Sequence, residues 1–330
     1  MPAGSLASHR FPRCVLVGCA LVASLDAAAT AAGDERGLPA GDRALKVPLA
    51  SRSLLLDVTE RDGRLVAVGE RGHILVSRDG GGSWTQADVP TRSLLTGVFM
   101  HDGQLGWAVG HDHVALRTKD GGLTWERVNY APEKEHPLLD VWFADARRGL
   151  AVGAYGELFA TSDGGNTWAP RPVNGSDDFH LNQIAAARDG TLYLAAEAGR
   201  LYRSDDGGTT WQVLPSPYQG SFFGLLPLSD GSLLAFGLRG NLYRSLDGGR
   251  KWARIETGTE ATLTSALELG PGRYVVAGMA GTLLWSDGAS GAVRKQELPG
   301  RRAIVAMARS DDRNLVVVGE GGVHRVDIPR

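Results

Sequence analysis

The segment S/T-x-D-G-G-x-[ST]-W, or a close variant of it, returns five times in this chain. The copies are Ser77–Trp84 (SRDGGGSW), Thr118–Trp125 (TKDGGLTW), Thr161–Trp168 (TSDGGNTW), Ser204–Trp211 (SDDGGTTW) and Ser245–Trp252 (SLDGGRKW). Their aspartates, Asp79, Asp120, Asp163, Asp206 and Asp247, are spaced by 41, 43, 43 and 41 residues. A repeat at a fixed period constrains the fold more than composition does. Each copy is one supersecondary unit that buries its apolar face only by stacking on the next. A shorter sixth copy, Trp285-Ser286-Asp287-Gly288, lacks the closing Trp.

Two further landmarks share the period. A G-x-x-G motif begins ten residues before each of the five aspartates. It reads Gly69–Gly72, Gly153–Gly156, Gly237–Gly240, Gly278–Gly281 and Gly319–Gly322, with variants at Gly110–His113 and Ala196–Gly199. An alternating apolar run opens each unit, at Leu54, Leu94, Leu138, Leu181, Ser221, Leu263 and Ala303. Both landmarks occur seven times. Within a unit, period-two alternation broken by Gly and Asp predicts four short strands joined by tight turns. The 45 glycines in 330 residues, about twice the usual share, are what so many positive-φ turns require. A 3.6-residue helical period is absent. Four-stranded units every 40–45 residues predict an all-β, seven-bladed β-propeller of antiparallel blades. The last unit has room for only three strands before Arg330. Unpaired edges are costly, so the strand-like piece Ala44–Leu49 is expected to complete that blade in a three-plus-one closure.

The first residues read as an export address. Arg10 and Arg13 precede the apolar run Cys14–Leu25, and an Ala-rich stretch follows through Ala32. This is the layout of a secretory signal peptide, and the run is too short to span a bilayer, which needs about 20 residues. Cleavage after Ala29 or after Ala32 fits equally. Leu16-Val17-Gly18-Cys19 offers an alternative, lipid attachment at Cys19, although few residues separate it from Arg13. The expected organisation is a signal peptide over 1–32, a short linker over 33–43 and a single propeller over 44–330. The product is exported, periplasmic or secreted, and not membrane-spanning. Both cysteines, Cys14 and Cys19, lie in the leader, which excludes a cysteine nucleophile and a thiolate metal site from the mature chain. A net charge of −2 argues against nucleic acid, whose partners carry a basic footprint.

The repeated aspartates invite a catalytic reading, but the same local device five times around a ring is structural. Asp at a bend accepts hydrogen bonds from its own turn, the glycines adopt conformations a Cβ forbids, and the tryptophans (Trp84, Trp125, Trp168, Trp211 and Trp252) anchor blade packing. Candidate functional residues are those that vary between units. The inner positions of the G-x-x-G turns supply Glu70, Arg71, His111, Asp112, Tyr155, Glu197, Arg239 and Glu320. The connections between units add Asp177, Asp178, Phe179 and His180, and an exposed Tyr218 beside Phe222 and Phe223. Aromatic side chains on such loops commonly anchor protein partners. His111-Asp112-His113 has the spacing of a metal pair but lacks an evident third ligand, so no metal is assigned.

The five segments, D-G-G-x-[ST]-W in four and DGGRKW in the fifth, resemble the Asp box, the bacterial neuraminidase-type repeat, which that resemblance places on the outer rim of β-propellers. Seven such units after a signal peptide resemble the photosystem II assembly/stability-factor propellers. The resemblance implies a non-enzymatic scaffold that holds protein partners while a membrane or envelope complex is assembled; a monomer without a cofactor is expected. The alternative is a sialidase-like glycosidase or glycan-binding propeller. Sialidases carry an R-I-P motif and usually six blades; this chain has no R-I-P and seven units. Xyloglucan-cleaving enzymes with a similar repeat need two facing propellers, and this chain holds one.

Overall fold

The computed structural model describes residues 42–173, 178–286, 288 and 291–329. The leader, with Cys14 and Cys19, and also Asp177 and Asp287, lie outside the described residues. Among the described residues, six sheets have four antiparallel strands each and a seventh has three. In blade 1 the strands are Leu55–Arg61, Arg64–Gly69, Ile74–Ser77 and Thr85–Gln86, in sequence order from the innermost outward. The innermost strands of blades 2 to 7 are Leu95–Met100, Leu138–Phe143, Leu181–Ala186, Phe222–Pro227, Leu263–Gly270 and Ile304–Arg309. Each packs on the next, and Leu55–Arg61 packs on Ile304–Arg309 to close the circle. No helix among the described residues is long and apolar enough to cross a membrane.

Alternation along the strands places one apolar set toward each neighbouring blade. The core is therefore seven clusters, each shared by two adjacent blades. The Asp-box tryptophans enter these clusters. Trp84 packs between blades 7 and 1, Trp125 between 1 and 2, Trp168 between 2 and 3, Trp211 between 3 and 4, and Trp252 between 4 and 5.

The boxes are self-contained hydrogen-bonded turns. In the first, Asp79 accepts from Ser77 Oγ at 2.8 Å, from Ser83 N at 2.9 Å and from Ser83 Oγ at 2.6 Å. Ser77 Oγ in turn accepts from Gly81 N. Gly80 and Gly81 have φ of 68° and 82°, in the left-handed region that favours glycine. Hydrogen bonds from Thr167 hold Asp163 down at about 2, and those from Thr210 and Ser204 do the same for Asp206. In the fifth copy Lys251 replaces the hydroxyl residue, and Asp247 keeps the backbone bonds from Arg250 and Lys251.

Closure differs from the three-plus-one expectation. Blade 7 contains Ile304–Arg309, Asn314–Gly319 and Gly322–Asp327, with no fourth strand among the described residues. Ala44–Leu49 is not a strand and lies against blade 1. Ala44 N donates to Val89 O, Val47 N to Gln86 Oε1, and Gln86 Nε2 to Leu45 O. Arg43 pairs with Asp88 at 2.8 Å and Asp42 with Arg127 of blade 2 at 2.8 Å. These polar anchors, all on blades 1 and 2, hold the segment, while Leu45, Val47 and Leu49 stay exposed. The seam between blades 7 and 1 closes through packing instead. Ala50, Leu55, Val58, Leu65 and Ala67 meet Ala306, Ala308, Val316 and Val318, and Ser310 Oγ donates to Gly80 O at 2.7 Å.

One residue ties this interlocking together between blades 2 and 3. Trp107 is fully buried, stacks on Phe143 with ring centroids 3.4 Å apart, and donates Nε1 to Gly164 O in the next Asp box. Trp107→Ala is expected to cost about 3–5 kcal/mol, the range for a buried large aromatic, and chemical denaturation will measure it.

Candidate protein-binding face

The G-x-x-G turns join the second and third strands of each blade and lean on the start of the innermost strand. The amide after the first position donates to the same carbonyl in every blade: Glu70 to Leu54, His111 to Leu94, Ala154 to Pro137, Glu197 to His180, Leu238 to Ser221, Met279 to Thr262 and Glu320 to Ala303. Six of the turns then place a non-glycine residue in the left-handed region: Arg71, Asp112, Tyr155, Ala198, Arg239 and Ala280. That conformation costs a non-glycine residue roughly 1–2 kcal/mol. It projects Arg71, Tyr155 and Arg239 into solvent.

The carboxylates predicted for this face mostly serve their own blades. Glu70 accepts from Leu54 N, Glu197 from His180 N and Glu320 from Ala303 N. Asp112 accepts from Ser93 Oγ. Burial lowers His111 below the ordinary histidine range, only partly offset by Asp112. Tyr218, expected exposed, is half-buried because its ring packs edge-on against the fully buried Phe222, 6.0 Å away. Arg71, Arg239 and Glu320 stand on blades 1, 5 and 7, and no bond links them.

On blades 2 to 4 the structure does gather a cluster. Tyr155, 48% exposed, sits between two imidazoles, with His136 at 4.6 Å and His180 at 4.9 Å between ring centroids. Tyr155 N donates to His180 Nδ1 at 2.9 Å, which leaves Nε2 of the neutral ring to carry its proton. Glu157 contacts His136 at 3.5 Å and His113 at 2.8 Å. His113 occupies the final position of its turn, where the other six copies have glycine, and takes φ 52° there. It is buried, and its ring reaches from blade 2 to the Glu157 of blade 3. Beside the cluster, an open cavity of ≈ 410 Å³ is lined by Phe179, Ala198, Arg200, Val213 and Ser216 among others, with the Arg200 guanidinium 5.1 Å over the Phe179 ring. His111, Asp112 and His113 form a short turn. Among the described residues no three ligand-type side chains gather as a metal site.

Sequence reasoning missed His113, His136 and Glu157 as a unit. It also missed two carboxylates on the innermost strands. Asp57 accepts from Val58 N and, across to blade 2, from Val98 N, both at 2.8 Å. Asp140 accepts from Val141 N and, across to blade 4, from Ile184 N at 2.8 Å. Both lie deep in the ring without being sealed from solvent. Burial pushes Asp57 up to about 6, against the pull of its two amides. Burial, and then repulsion from Asp57, pushes Asp140 up to about 7. Gly97 of blade 2 leaves room for Asp140, since a Cβ there would meet Asp140 Cα at 3.1 Å and Oδ1 at 3.3 Å. The signal in the sequence is the LLDV that opens units 1 and 3, an acid inside an otherwise apolar run.

The family model for photosynthesis system II assembly factor YCF48 matches residues 42–135 and 131–326. The chain belongs to the YCF48 family. Solved YCF48 structures share its fold. One described as YCF48 bound to D1 peptide is 17% identical, with a TM-score of 0.72 over 86% of this chain and 96% of that one. YCF48 from Cyanidioschyzon merolae is 17% identical, with a TM-score of 0.69 over 87% and 99%. A streptogramin B lyase has the same fold at 12% identity, with a TM-score of 0.72 over 85% and 94%. No curated protein matches.

Within this propeller the inner carboxylates set a pH dependence. A carboxyl raised in the folded state adds stability that is complete below its unfolded value and is lost as pH rises through the folded one. For Asp57 and Asp140 that window runs from about 4 to about 7. The depressed box aspartates act in the opposite sense, only as pH falls below about 4. The melting temperature is therefore expected to rise from about pH 8 to about pH 5. Asp140→Asn is expected to flatten that rise in scanning calorimetry.

Proposed function

We propose that this chain is an exported, non-catalytic propeller that binds protein and serves as an accessory or assembly factor for a membrane or envelope complex. The observation that carries the reading is the exposed Tyr155, held between His136 and His180 on the face of blades 2 to 4. An aromatic side chain fixed by its neighbours loses little freedom on docking, and such residues dominate protein interfaces. Membership of the YCF48 family supports a partner-binding role. A YCF48 structure described as bound to D1 peptide supports a polypeptide as the ligand class. The leader-like Met1–Ala32 supports export to the periplasm or beyond, and no cofactor is required.

Affinity capture from envelope extract provides the test. The wild-type chain is expected to retain a discrete protein complex. Tyr155→Ala, at an exposed position, is expected to keep the circular dichroism spectrum and to weaken that capture at least about tenfold. Equal capture by Tyr155→Ala displaces the site. Turnover of fluorogenic glycosides by the wild-type chain overturns the non-catalytic reading.

A further inference from the structure

His180 belongs to the connection between blades 3 and 4 and touches a turn of each. In blade 4 its backbone N donates to Glu197 Oε2 at 3.2 Å, and its carbonyl accepts from Glu197 N at 3.0 Å. In blade 3 its ring accepts the Tyr155 amide at Nδ1, 2.9 Å away, and meets the Tyr155 ring edge-on. The backbone of His180 is thus fixed in one blade while its ring holds a residue of the other.

That hold depends on the protonation of the ring. A neutral imidazole has one nitrogen free to accept, and an imidazolium has none, because both nitrogens then carry hydrogen. The Tyr155 amide donates to Nδ1 only while His180 is neutral; proton uptake would set two N–H groups against each other. Tyr155 meanwhile has φ 56°, a left-handed conformation that persists in a tyrosine only where its surroundings enforce it. At the other nitrogen, Glu197 Oε2 lies 3.9 Å from Nε2. That is beyond hydrogen-bond reach and near enough to attract a positive ring. The ring therefore has two alternative partners, the amide when neutral and the carboxylate when charged. Histidine is the side chain whose ordinary titration falls between pH 5 and 8.

The other ionisable groups nearby have partners of their own or stand apart from Nδ1. His136 packs on Tyr155 and contacts Glu157 at 3.5 Å, and Glu157 also contacts His113 at 2.8 Å. Arg200, which follows the blade 4 turn, lies over the Phe179 ring. Asp178 is exposed, two residues before His180.

We propose that His180 is a proton-operated latch on the Tyr155 turn. Neutral, it holds the Tyr155 backbone and presents the ring for docking. Protonated, it turns to Glu197 and frees the turn, so that a docked polypeptide is released as pH falls. The release rests on the reading of Tyr155 as the docking residue; the latch itself does not. Because the docked form carries no proton on Nδ1, affinity falls by up to about tenfold for each pH unit below the midpoint of the ring.

The test is NMR of the isotope-labelled full chain between pH 5 and pH 8. Long-range proton–nitrogen correlation is expected to show the His180 ring carrying its proton on Nε2 at pH 8. Protection of the Tyr155 amide, corrected for the intrinsic pH dependence of exchange, is expected to fall at least about tenfold as His180 takes up a proton. His180→Asn keeps an acceptor oxygen near Nδ1 that does not titrate, and is expected to hold the protection level across the range. His136→Gln removes the other imidazole and is expected to keep the wild-type profile. A ring protonated on Nδ1 at pH 8 overturns the proposal. So does amide protection that ignores the His180 titration, or a His180→Asn profile equal to that of the wild type. Affinity capture then separates the latch from docking. A complex retained from envelope extract at pH 7.5 is expected to elute at pH 5 from the wild type and to stay on His180→Asn. Protection that switches while acid elutes nothing supports the latch and overturns Tyr155 as the docking residue.

Discussion

The structure depends on contact between neighbouring blades. Among the described residues no blade has a core of its own: each of the seven clusters is shared by two sheets. Polar side chains stitch the same interfaces. Asp57 reaches Val98, Thr96 reaches Leu138 O, Asp140 reaches Ile184, Gln183 reaches Leu225, Ser229 reaches Glu268, Thr264 reaches Ile304 O, and Ser310 reaches Gly80 O. Every one of these bonds joins one blade to the next, and together they run round the ring. A buried backbone group left without a partner is expensive, so loss of one blade would expose two apolar faces and strand the groups stitched to them.

Local devices were legible in the sequence because they are written in adjacent residues. The Asp boxes, the G-x-x-G turns and the strand alternation need no knowledge of distant neighbours, and the structure places all of them in repeating positions. Closure was not legible. Ala44–Leu49 has the alternation of a strand, but its position is decided by Arg43, Asp88, Gln86 and Asp42, whose partners lie on blades 1 and 2. Likewise Glu70, Glu197 and Glu320 look like free charges in a variable turn. Only the fold shows that they accept from the amides of Leu54, His180 and Ala303.

The candidate site was legible in part. Tyr155 stands out in its turn, and His180 stands in a connection between units. His136 and Glu157 carry no repeat-level signal; they become part of a site only when blades 2 to 4 bring them beside Tyr155. His113 is the position where deviation from the repeat is itself informative. A histidine accepts left-handed strain where glycine would avoid it and uses the position to reach Glu157 in the next blade. A regular scaffold with irregular turns is the arrangement in which function resides on the turns.

The most direct measurement is the thermal melt of a chain that begins at Ala50. If the seam between blades 7 and 1 is held by the packing of Leu55, Val58 and Leu65 on Ala306, Ala308 and Val316, the shortened chain melts in one cooperative transition close to that of the longer one. Loss of the cooperative transition would show that residues before Ala50 close the ring, and would contradict this account.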